Sequence, residues 1–490
     1  MTVESEAEAR PRPPRRSSTR RWPPVTSVVI GVGFAVWGLS IGIDQLSDNS
    51  FFTHLATGRL ILEHGIPHHD VYSFTAVGEP WVVQSWLASV LYGWVDSWFG
   101  VVGLRLLMAA LTGVLAAMAW RLTRPARSLA GRIVIAGCVL GVGSSVWSPR
   151  PLLIGLVLLT LALLAAERGL DPRWMLPVFW LWVNVHGSFP LGIVALGCLW
   201  IGRRADGKDG KVELRCLVWA GAGTVLGALS PLGPVLLIFP VRLLGRMDVL
   251  REVVEWQSPS FSSAWARLFL VQVIIGILAL VRRPSYRAAI PLVVFTAAAL
   301  LGVRNVAVAS IVLVPGTARG LVDLGSIRGD RRSPINVVAA IAVALVGVLL
   351  VTSSLAKPAW QLDSFPVDAV SWLDQNGLHR DDLHTATSDT VGNYLELVYG
   401  DQAHAFLDDR VDMYPKPVVQ DFLVLLHGSP GWRDVLQRRD IDLVLWERTS
   451  ALSQLMVESS DWRILYSDPG WVVGCRRGTE LGGTGSLAIC

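Results

Sequence analysis

The sequence predicts an all-α polytopic membrane bundle followed by a small C-terminal α/β domain. Of the 490 residues, 52% are hydrophobic and only 17% are charged, and the mean hydropathy is +0.47. A soluble domain has a far more polar composition. Apolar runs of roughly 15 to 20 residues, close to the length that a bilayer requires, recur between Pro24 and Ser353. After Leu355 helical patterns alternate with short strand-like runs such as HAFLD and IDLVLWE.

The N-terminal tail, residues 1–23, is rich in Arg, Pro and Ser and is predicted to be disordered. Its arginines directly precede the first apolar run and place this end of the chain in the cytoplasm. No small-residue cleavage site follows Ile43, so the first run is predicted to remain as a span. The net charge of +4 is explained by this topology, and no nucleic acid is expected as a partner.

Hydropathy predicts about eleven spans in the bundle, residues 24–354. They are 24–43, 101–120, 131–147, 152–166, 174–186, 189–202, 216–230, 263–281, 288–303, 306–322 and 334–353. The Arg-rich loops that then fall on the cytoplasmic side, as the positive-inside rule requires, are 121–132, 167–173, 203–215, 282–287 and 327–333. An extra span at 85–99 would reverse these loops. This Trp-rich segment of the outer loop 44–100 is therefore predicted to lie in the outer interface.

Two predicted spans, 174–186 and 189–202, are shorter than the ~20 residues that cross a bilayer. The HGSFP break between them is expected to be buried in protein or to line a wet cavity. Because the number of spans is odd, the α/β domain, 355–478, is predicted to be extracytoplasmic, with a flexible tail at 479–490. Cys475 and Cys490 could form a disulfide there, and the sequence leaves the paired and the unpaired state open.

The predicted topology gathers polar and charged side chains at the outer ends of the spans. Taken alone, each has a simple structural explanation: Asp48 could cap the helix that begins after it, and Arg150 could reach lipid headgroups. Together they suit a lipid-linked phosphosugar, because guanidinium groups bind phosphate, a carboxylate can act as a base and an apolar groove accepts a lipid tail. The residues are Asp44, Asp48, His54, Arg150, Asn184, His186, Arg242, Arg246, Glu255 and Arg304.

The order of a first span, an acidic residue, an amphipathic helix and then GIPHHDVYSFTAVGEPWVVQSWL resembles the start of GT-C-fold membrane glycosyltransferases. This is the class of the protein O-mannosyltransferases and the lipid A aminoarabinose transferases. The segments SPRPLLIG, WVNVHGSFPLG, EWQSPSF, RNVAVASIVLVP and AFLDDRVDMYP are similar to a bacterial branch of the class. The likeness covers nearly the whole chain and is strongest over 44–105 and 147–202. It departs at Asp48-Asn49, where many relatives have an Asp-Glu pair. The C-terminal sequence also has no WWDYG-type oligosaccharyltransferase motif, which argues against glycosylation of Asn in proteins.

The resemblance implies transfer of a sugar from a polyprenyl-phosphate donor to a glycan, lipid or protein acceptor on the outer face of the bacterial cytoplasmic membrane. Asp48 matches the position of the catalytic acid best and would take the acceptor proton, with Asp44 as its rival. The residues implied to hold the donor phosphate are Arg150, Arg304, Arg242 and Arg246. Those implied to orient the substrates are His54, His186, Asn184 and Glu255.

Neither a cofactor nor a divalent metal is expected, because the phosphate leaves already ionised. The nearest match to a cation-binding motif is DDRVD at 408–412, which is interpreted as a polar loop after a strand. Membrane lipids are the other expected partners. The sequence predicts neither the sugar nor the oligomeric state.

The departure at Asp48-Asn49 keeps a second function open, a catalytically inactive GT-C-like bundle that acts as a lipid-binding scaffold or carrier in envelope assembly. A solute transporter is disfavoured because the spans carry almost no ionisable residue near their midpoints, where coupling sites normally lie.

Overall fold

The computed structural model describes residues 24–247, 254–322, 331–482 and 489–490. The predicted tail 1–23 and parts of the loop 327–333 and of the tail 479–490 lie outside these ranges. The described chain is mostly helical and has one four-stranded sheet near its C-terminus. This confirms the general fold class, while the domain boundaries drawn from the sequence stay predictions.

The helices of the bundle follow the apolar runs. They are α1 (Thr26–Gly42), α2 (Asn49–His64), α3 (Trp86–Leu122), α4 (Leu129–Val146), α5 (Pro151–Ala166), α6 (Met175–Val185), α7 (Phe189–Ala205), α8 (Lys211–Leu226), α9 (Val235–Leu244), α10 (Ala264–Arg282), α11 (Tyr286–Leu301), α12 (Arg304–Val312), α13 (Val314–Gly320) and α14 (Pro334–Leu355). Within the described ranges, α3, α4, α10 and α14 are long and apolar enough to cross a membrane. The chain is therefore a membrane protein, and the count of about eleven spans stays a prediction.

Helix α3 consists of two parts that meet at Gly100, whose φ of 59° interrupts the helical backbone. The first part packs across α2 at two glycines. A Cβ on Gly58 would lie 1.9 Å from the Ser89 carbonyl oxygen, and a Cβ on Gly93 would lie 2.5 Å from the Gly58 carbonyl carbon. Only glycine permits this backbone contact, which fixes α2 on the segment 86–99.

A buried arginine of α3 ties two helix ends together. Arg105 of α3 is 1% exposed, and its guanidinium donates to the carbonyl oxygens of Ile43 (2.9 Å) and Ser354 (2.7 Å). These carbonyls belong to the C-terminal ends of α1 and α14, where the helix backbone has acceptors without intrahelical donors. The cation also suits the negative end of each helix dipole.

The predicted HGSFP break falls between α6 and α7. It is buried in protein: His186 is 8% exposed, and the Gly187 amide donates to Gln84 Oε1 at 2.9 Å. Gln84 lies just before α3. The loop that connects α2 and α3 therefore covers the break.

The C-terminal domain packs helices on a mixed sheet. Its elements are α15 (Val367–Gln375), β1 (Thr385–Thr387), α16 (Asp389–Tyr399), α17 (Lys416–His427), α18 (Trp432–Arg438), β2 (Leu443–Glu447), α19 (Ala451–Glu458), β3 (Trp462–Ser467) and β4 (Trp471–Arg476). The strand order is β1-β2-β4-β3, with β1 parallel to β2 and the other pairs antiparallel. Cys475 of β4 and Cys490 form a disulfide, which settles the alternative that the sequence left open.

The strand-like run IDLVLWE forms β2, whereas HAFLD does not join the sheet. Instead, Ala405 makes an isolated parallel bridge with Ser73 in the loop between α2 and α3. The Ala405 amide donates to the Tyr72 carbonyl at 2.9 Å, and the Phe74 amide donates to the Ala405 carbonyl at 3.1 Å. HAFLD was wrongly predicted as a sheet strand because its backbone partner comes from a distant part of the chain.

At the end of α5 away from this domain, buried charges link the bundle helices. Arg287 is 4% exposed and binds Glu167 (Nη1 to Oε1, 2.8 Å) and Glu213 (Nε to Oε1, 3.0 Å). Glu167 also pairs with Arg319. Two carboxylates and two guanidinium groups thus neutralise each other where α5, α8, α11 and α13 meet.

Candidate functional site

Asp48 lies at the N-terminus of α2, four residues before Phe52 and directly after the turn that leaves α1. Its carboxylate accepts from the Phe51 amide at 3.2 Å, which is the ordinary capping contact of an Asp at this position. The same carboxylate accepts from Arg150 Nε, at 2.9 Å to Oδ1 and 2.8 Å to Oδ2. Asp48 is therefore both the cap of α2 and an ion-pair partner.

Arg150 precedes Pro151, the first residue of α5, and has the extended backbone that a following proline favours (φ −102°, ψ 161°). Its Nη1 pairs with Glu255, which lies in the short 3-10 turn Val254–Trp256. Asp48, Arg150 and Glu255 form what we call the Arg150 cluster. Their side chains are 13%, 25% and 41% exposed, so the cluster is open to solvent mainly on the side of Glu255.

Arg304 begins α12 and lies close to this cluster. Its guanidinium stacks on the Trp256 ring, with 4.3 Å from Cζ to the ring centroid. It interacts electrostatically with Arg150 and with the carboxylate of Asp412. The structure therefore brings together Arg150 and Arg304, two of the four arginines implied to bind phosphate.

The two histidines lie beside the same groups. His54 of α2 places its Nδ1 3.3 Å from Ser89 Oγ, and burial together with Arg150 lowers its pKa to about 3. His54 is thus neutral near pH 7 and can orient a substrate by hydrogen bonding without carrying charge. His186 Nδ1 accepts from the Ser188 amide at 3.1 Å, and its ring interacts electrostatically with Arg304 and His54.

Asn184 and Asp44 lie outside this group. Asn184 is fully buried, accepts from Trp86 Nε1 at 3.0 Å and donates to the Trp180 carbonyl at 2.8 Å, so its polar atoms are used within the protein. Asp44 is 67% exposed, and its carboxylate lies 3.8 Å from Lys357 Nζ. Nothing in these contacts links Asp44 to the Arg150 cluster.

Arg242 and Arg246 lie in different environments. Arg242 of α9 is exposed. Arg246 donates to the backbone carbonyls of Asp412 (3.0 Å) and Tyr414 (2.6 Å) and so holds the segment that ends in DMYP. Arg246 therefore contacts a neighbour of the site and not the cluster itself.

The DDRVD segment supplies carboxylates that the sequence interpretation did not assign to the site. Asp409 is half-buried and interacts with Ser50, Asp48 and Arg150, and burial raises its pKa to about 6. Asp412 is also half-buried, its pKa is raised by burial to about 6, and it lies within electrostatic reach of Arg304. Three acids in five residues were the only sequence signal, and it gave no indication of where the segment packs.

Arg410 anchors this segment. It is 6% exposed, and its Nη2 lies 2.5 Å from Asp408 Oδ2 and 2.7 Å from Asp70 Oδ1. Its guanidinium also stacks on the rings of Tyr72 and Trp81, at 4.8 and 4.4 Å from their centroids. Asp70, Tyr72 and Trp81 all lie between α2 and α3. A buried guanidinium paired with carboxylates thus fixes the C-terminal domain on the first loop.

In the part of the chain that the structure describes, no group of three or more His, Cys, Asp or Glu side chains is arranged to hold a metal ion. The expectation that catalysis needs no metal stays a prediction.

No protein-family model matches the chain, and no curated protein matches it. Among solved structures, it is similar to the archaeal oligosaccharyltransferase AglB from Archaeoglobus fulgidus in complex with an inhibitory peptide and a dolichol-phosphate. The TM-score is 0.51 at 11% identity, over 86% of this chain and 69% of that chain. An Archaeoglobus fulgidus oligosaccharyltransferase in complex with Zn and sulfate gives a TM-score of 0.48 at 12% identity, over 91% and 73%. The likeness to AglB is one of fold, and it confirms that the chain has the GT-C-like fold that its sequence predicted.

Proposed function

We propose that the protein is an integral membrane glycosyltransferase that moves a sugar from a polyprenyl-phosphate donor to a cell-envelope glycan, lipid or protein. The reaction takes place on the outer face of the bacterial cytoplasmic membrane. The observation that carries the proposal is the Arg150 cluster with Arg304 beside it, where a GT-C-like bundle meets its C-terminal domain. The AglB structure with a similar fold contains a dolichol-phosphate, a lipid phosphate of the same chemical class.

The arginines suit the donor phosphate. Arg150 is held on one side by Asp48, which is 13% exposed, and on the other by Glu255, which is 41% exposed. Because the exposed pair is the weaker one, a phosphate can replace Glu255 while Asp48 keeps the guanidinium in position. Arg304, braced against Trp256, adds a second fixed cation where negative charge develops on the leaving phosphate.

The proposed reaction is a displacement at the anomeric carbon. The acceptor oxygen forms a bond to that carbon, the bond to the phosphate oxygen breaks, and the polyprenyl phosphate leaves with the electron pair. A carboxylate takes the acceptor proton, a contribution typically worth about 10²- to 10⁴-fold in rate. Neutral His54 and the nearby His186 lie beside the arginines and would orient the sugar or the acceptor.

The test is replacement of Asp48 by Asn in full-length protein in membranes. Asp48→Asn keeps the cap of α2 but removes the charge that holds Arg150, so transfer of labelled sugar from the lipid donor should be abolished while expression persists. Asp44→Asn tests the rival assignment and should retain transfer, because Asp44 is exposed and contacts Lys357. Wild-type transfer by Asp48→Asn would remove Asp48 from the mechanism.

A non-catalytic lipid-binding scaffold is the second candidate. It is favoured by one observation: both Asp48 oxygens accept from Arg150, so the pair can serve a structural role. This function predicts that Asp48→Ala has no effect in cells, whereas deletion of residues 355–478 is severe. The glycosyltransferase predicts that both changes abolish transfer.

A further inference from the structure

The two carboxylates that pair with Arg150, those of Asp48 and Glu255, differ from Asp409 in their contacts. Asp48 accepts from Arg150 through both oxygens and from the Phe51 amide, and Glu255 pairs with Arg150 Nη1. A guanidinium that donates to both oxygens of a carboxylate occupies the positions from which that carboxylate would accept a substrate proton. The proton-accepting role implied for Asp48 therefore conflicts with its contacts.

Asp409 is placed against the start of α2 by contacts that do not involve Arg150. Its amide donates to Asn393 Oδ1 at 3.1 Å, and the same oxygen accepts from Thr53 Oγ1 of α2 at 3.0 Å. The Ser50 side chain also interacts with the Asp409 carboxylate and lowers its pKa. Asn393 thus joins α16, α2 and the DDRVD segment at one point, one turn from the Asp48 cap.

The approach of α16 to this segment requires a glycine. A Cβ on Gly392 would lie 2.2 Å from the Leu407 carbonyl oxygen, so any larger residue would push the segment away from α16. Together with the buried Arg410 anchor, this contact holds Asp409 in a fixed position. The residue itself is only half-buried.

We propose that Asp409, supplied by the C-terminal domain, is the proton acceptor of the transfer reaction, and that Asp48 acts as a positioning residue that orients Arg150. The inference rests on the glycosyltransferase function proposed above. Asp409 then provides a second acid beside Asp48 and Arg150. The acceptor O–H proton passes to Asp409 as the new bond to the anomeric carbon forms and the polyprenyl phosphate leaves. The protonated Asp409 afterwards releases its proton to water.

The electrostatics agree with this division of roles. The charged groups that face Asp409 are Asp408 beside it in the chain, Asp48 at the start of α2 and Arg150 before α5. The pKa of Asp409 is raised to about 6: burial is the largest cause, Asp408 and Asp48 also raise it, and Ser50 and Arg150 lower it. Two nearby acids with different environments are a common way to separate a proton-transfer role from an electrostatic one.

The experiment compares wild-type protein with Asp409→Asn, Asp409→Glu and Asp48→Asn, each full-length in membranes. The probes are undecaprenyl-phosphate sugars carrying tritiated mannose, glucose or arabinose, added to membranes that contain the acceptor. The measured quantity is the loss of tritium from the donor lipid, which accompanies release of undecaprenyl phosphate. Asp401→Asn is the matched control, since Asp401 is an exposed acid of the same domain. Thermal unfolding and binding of undecaprenyl phosphate are measured for every variant, because a folding defect would change both.

For Asp409→Asn we expect kcat to fall about 10²- to 10⁴-fold with lipid phosphate binding unchanged, and Asp409→Glu to recover part of the rate. Below pH ~6, the kcat/KM of the wild type should fall about tenfold per pH unit, because only ionised Asp409 accepts a proton. This pH-dependent fall in kcat/KM should be absent from Asp409→Asn. Asp48→Asn should weaken lipid phosphate binding, which Asp409→Asn leaves unchanged.

Two results separate the possible failures. If the wild type is active and Asp409→Asn has a wild-type rate and pH profile, the role of Asp409 is overturned and the proposed function stands. If the wild type neither binds undecaprenyl phosphate nor releases it from any of the three donors, the proposed function is overturned and the role of Asp409 falls with it.

Discussion

Arg150 is the residue on which the candidate site depends, because it joins two parts of the bundle through two carboxylates of unequal exposure. Asp48 is the better buried partner and Glu255 the more exposed one. The sequence placed Asp48 and Arg150 in one compartment through hydropathy and the positive-inside rule. It could not predict their contact, since that depends on how the α1–α2 turn meets the start of α5.

Glu255→Gln is expected to improve donor binding, because the phosphate then no longer competes with a carboxylate for Arg150. The KM for the lipid donor should fall about two- to fivefold, which corresponds to the free energy of an exposed ion pair. The kcat should change little. Steady-state kinetics would measure this, with Glu63→Gln as the control, since Glu63 is an exposed acid on α2. A higher KM would show that Glu255 itself contacts the substrate.

At the scale of elements, α2 and the first part of α3 carry the site and are held together by backbone contact. The sequence predicted a helix at 85–99 distinct from the span that follows, and Gly100 separates them. The crossing at Gly58 and Gly93 was not predictable, because glycine has many uses in helices and the two residues are far apart in sequence.

Gly58→Ala should destabilise the protein, because the added Cβ would lie 1.9 Å from the Ser89 carbonyl oxygen. The expected loss of free energy of unfolding is about 1–3 kcal/mol or more, together with lower activity, since α2 carries Asp48 and His54. Thermal unfolding in detergent would measure it. Gly33→Ala is the control, because nothing lies within 4 Å of a Cβ at that position in α1, and it should leave the melting temperature unchanged or slightly raised. Equal melting curves for the two variants would contradict the crossing.

At the scale of the whole molecule, buried charge clusters join distant parts of the chain in two places. Arg410 fixes the C-terminal domain on the first loop, and Glu167 with Arg287 and Arg319 joins the opposite helix ends. The sequence predicted that arginines gather in the loops 167–173 and 282–287, which explains the topology. The sequence could not predict that Glu167 and Glu213 neutralise Arg287, because this depends on how the helices pack. For the same reason it could not predict that the DDRVD segment lies beside α2.

Glu167→Gln should lower the free energy of unfolding by about 3–5 kcal/mol, because it leaves two guanidinium groups without their shared carboxylate in a buried site. Chemical or thermal unfolding of the detergent-solubilised protein would show the loss, and the outer site should keep its activity at low temperature. Asp209→Asn removes an exposed pair with Lys211 and should have no measurable effect. If the two variants were equally stable, the buried network would not hold the bundle together.

The central claim is that the Arg150 cluster binds a lipid phosphate, and the most direct measurement is a cryo-electron microscopy map of the full-length protein with undecaprenyl phosphate. We predict phosphate density within hydrogen-bond distance of Arg150 and Arg304, with Glu255 displaced and Asp48 still paired to Arg150 Nε. Phosphate density only at the opposite end of α5, near Arg287 and Arg319, or an empty Arg150 cluster at saturating lipid, would contradict it.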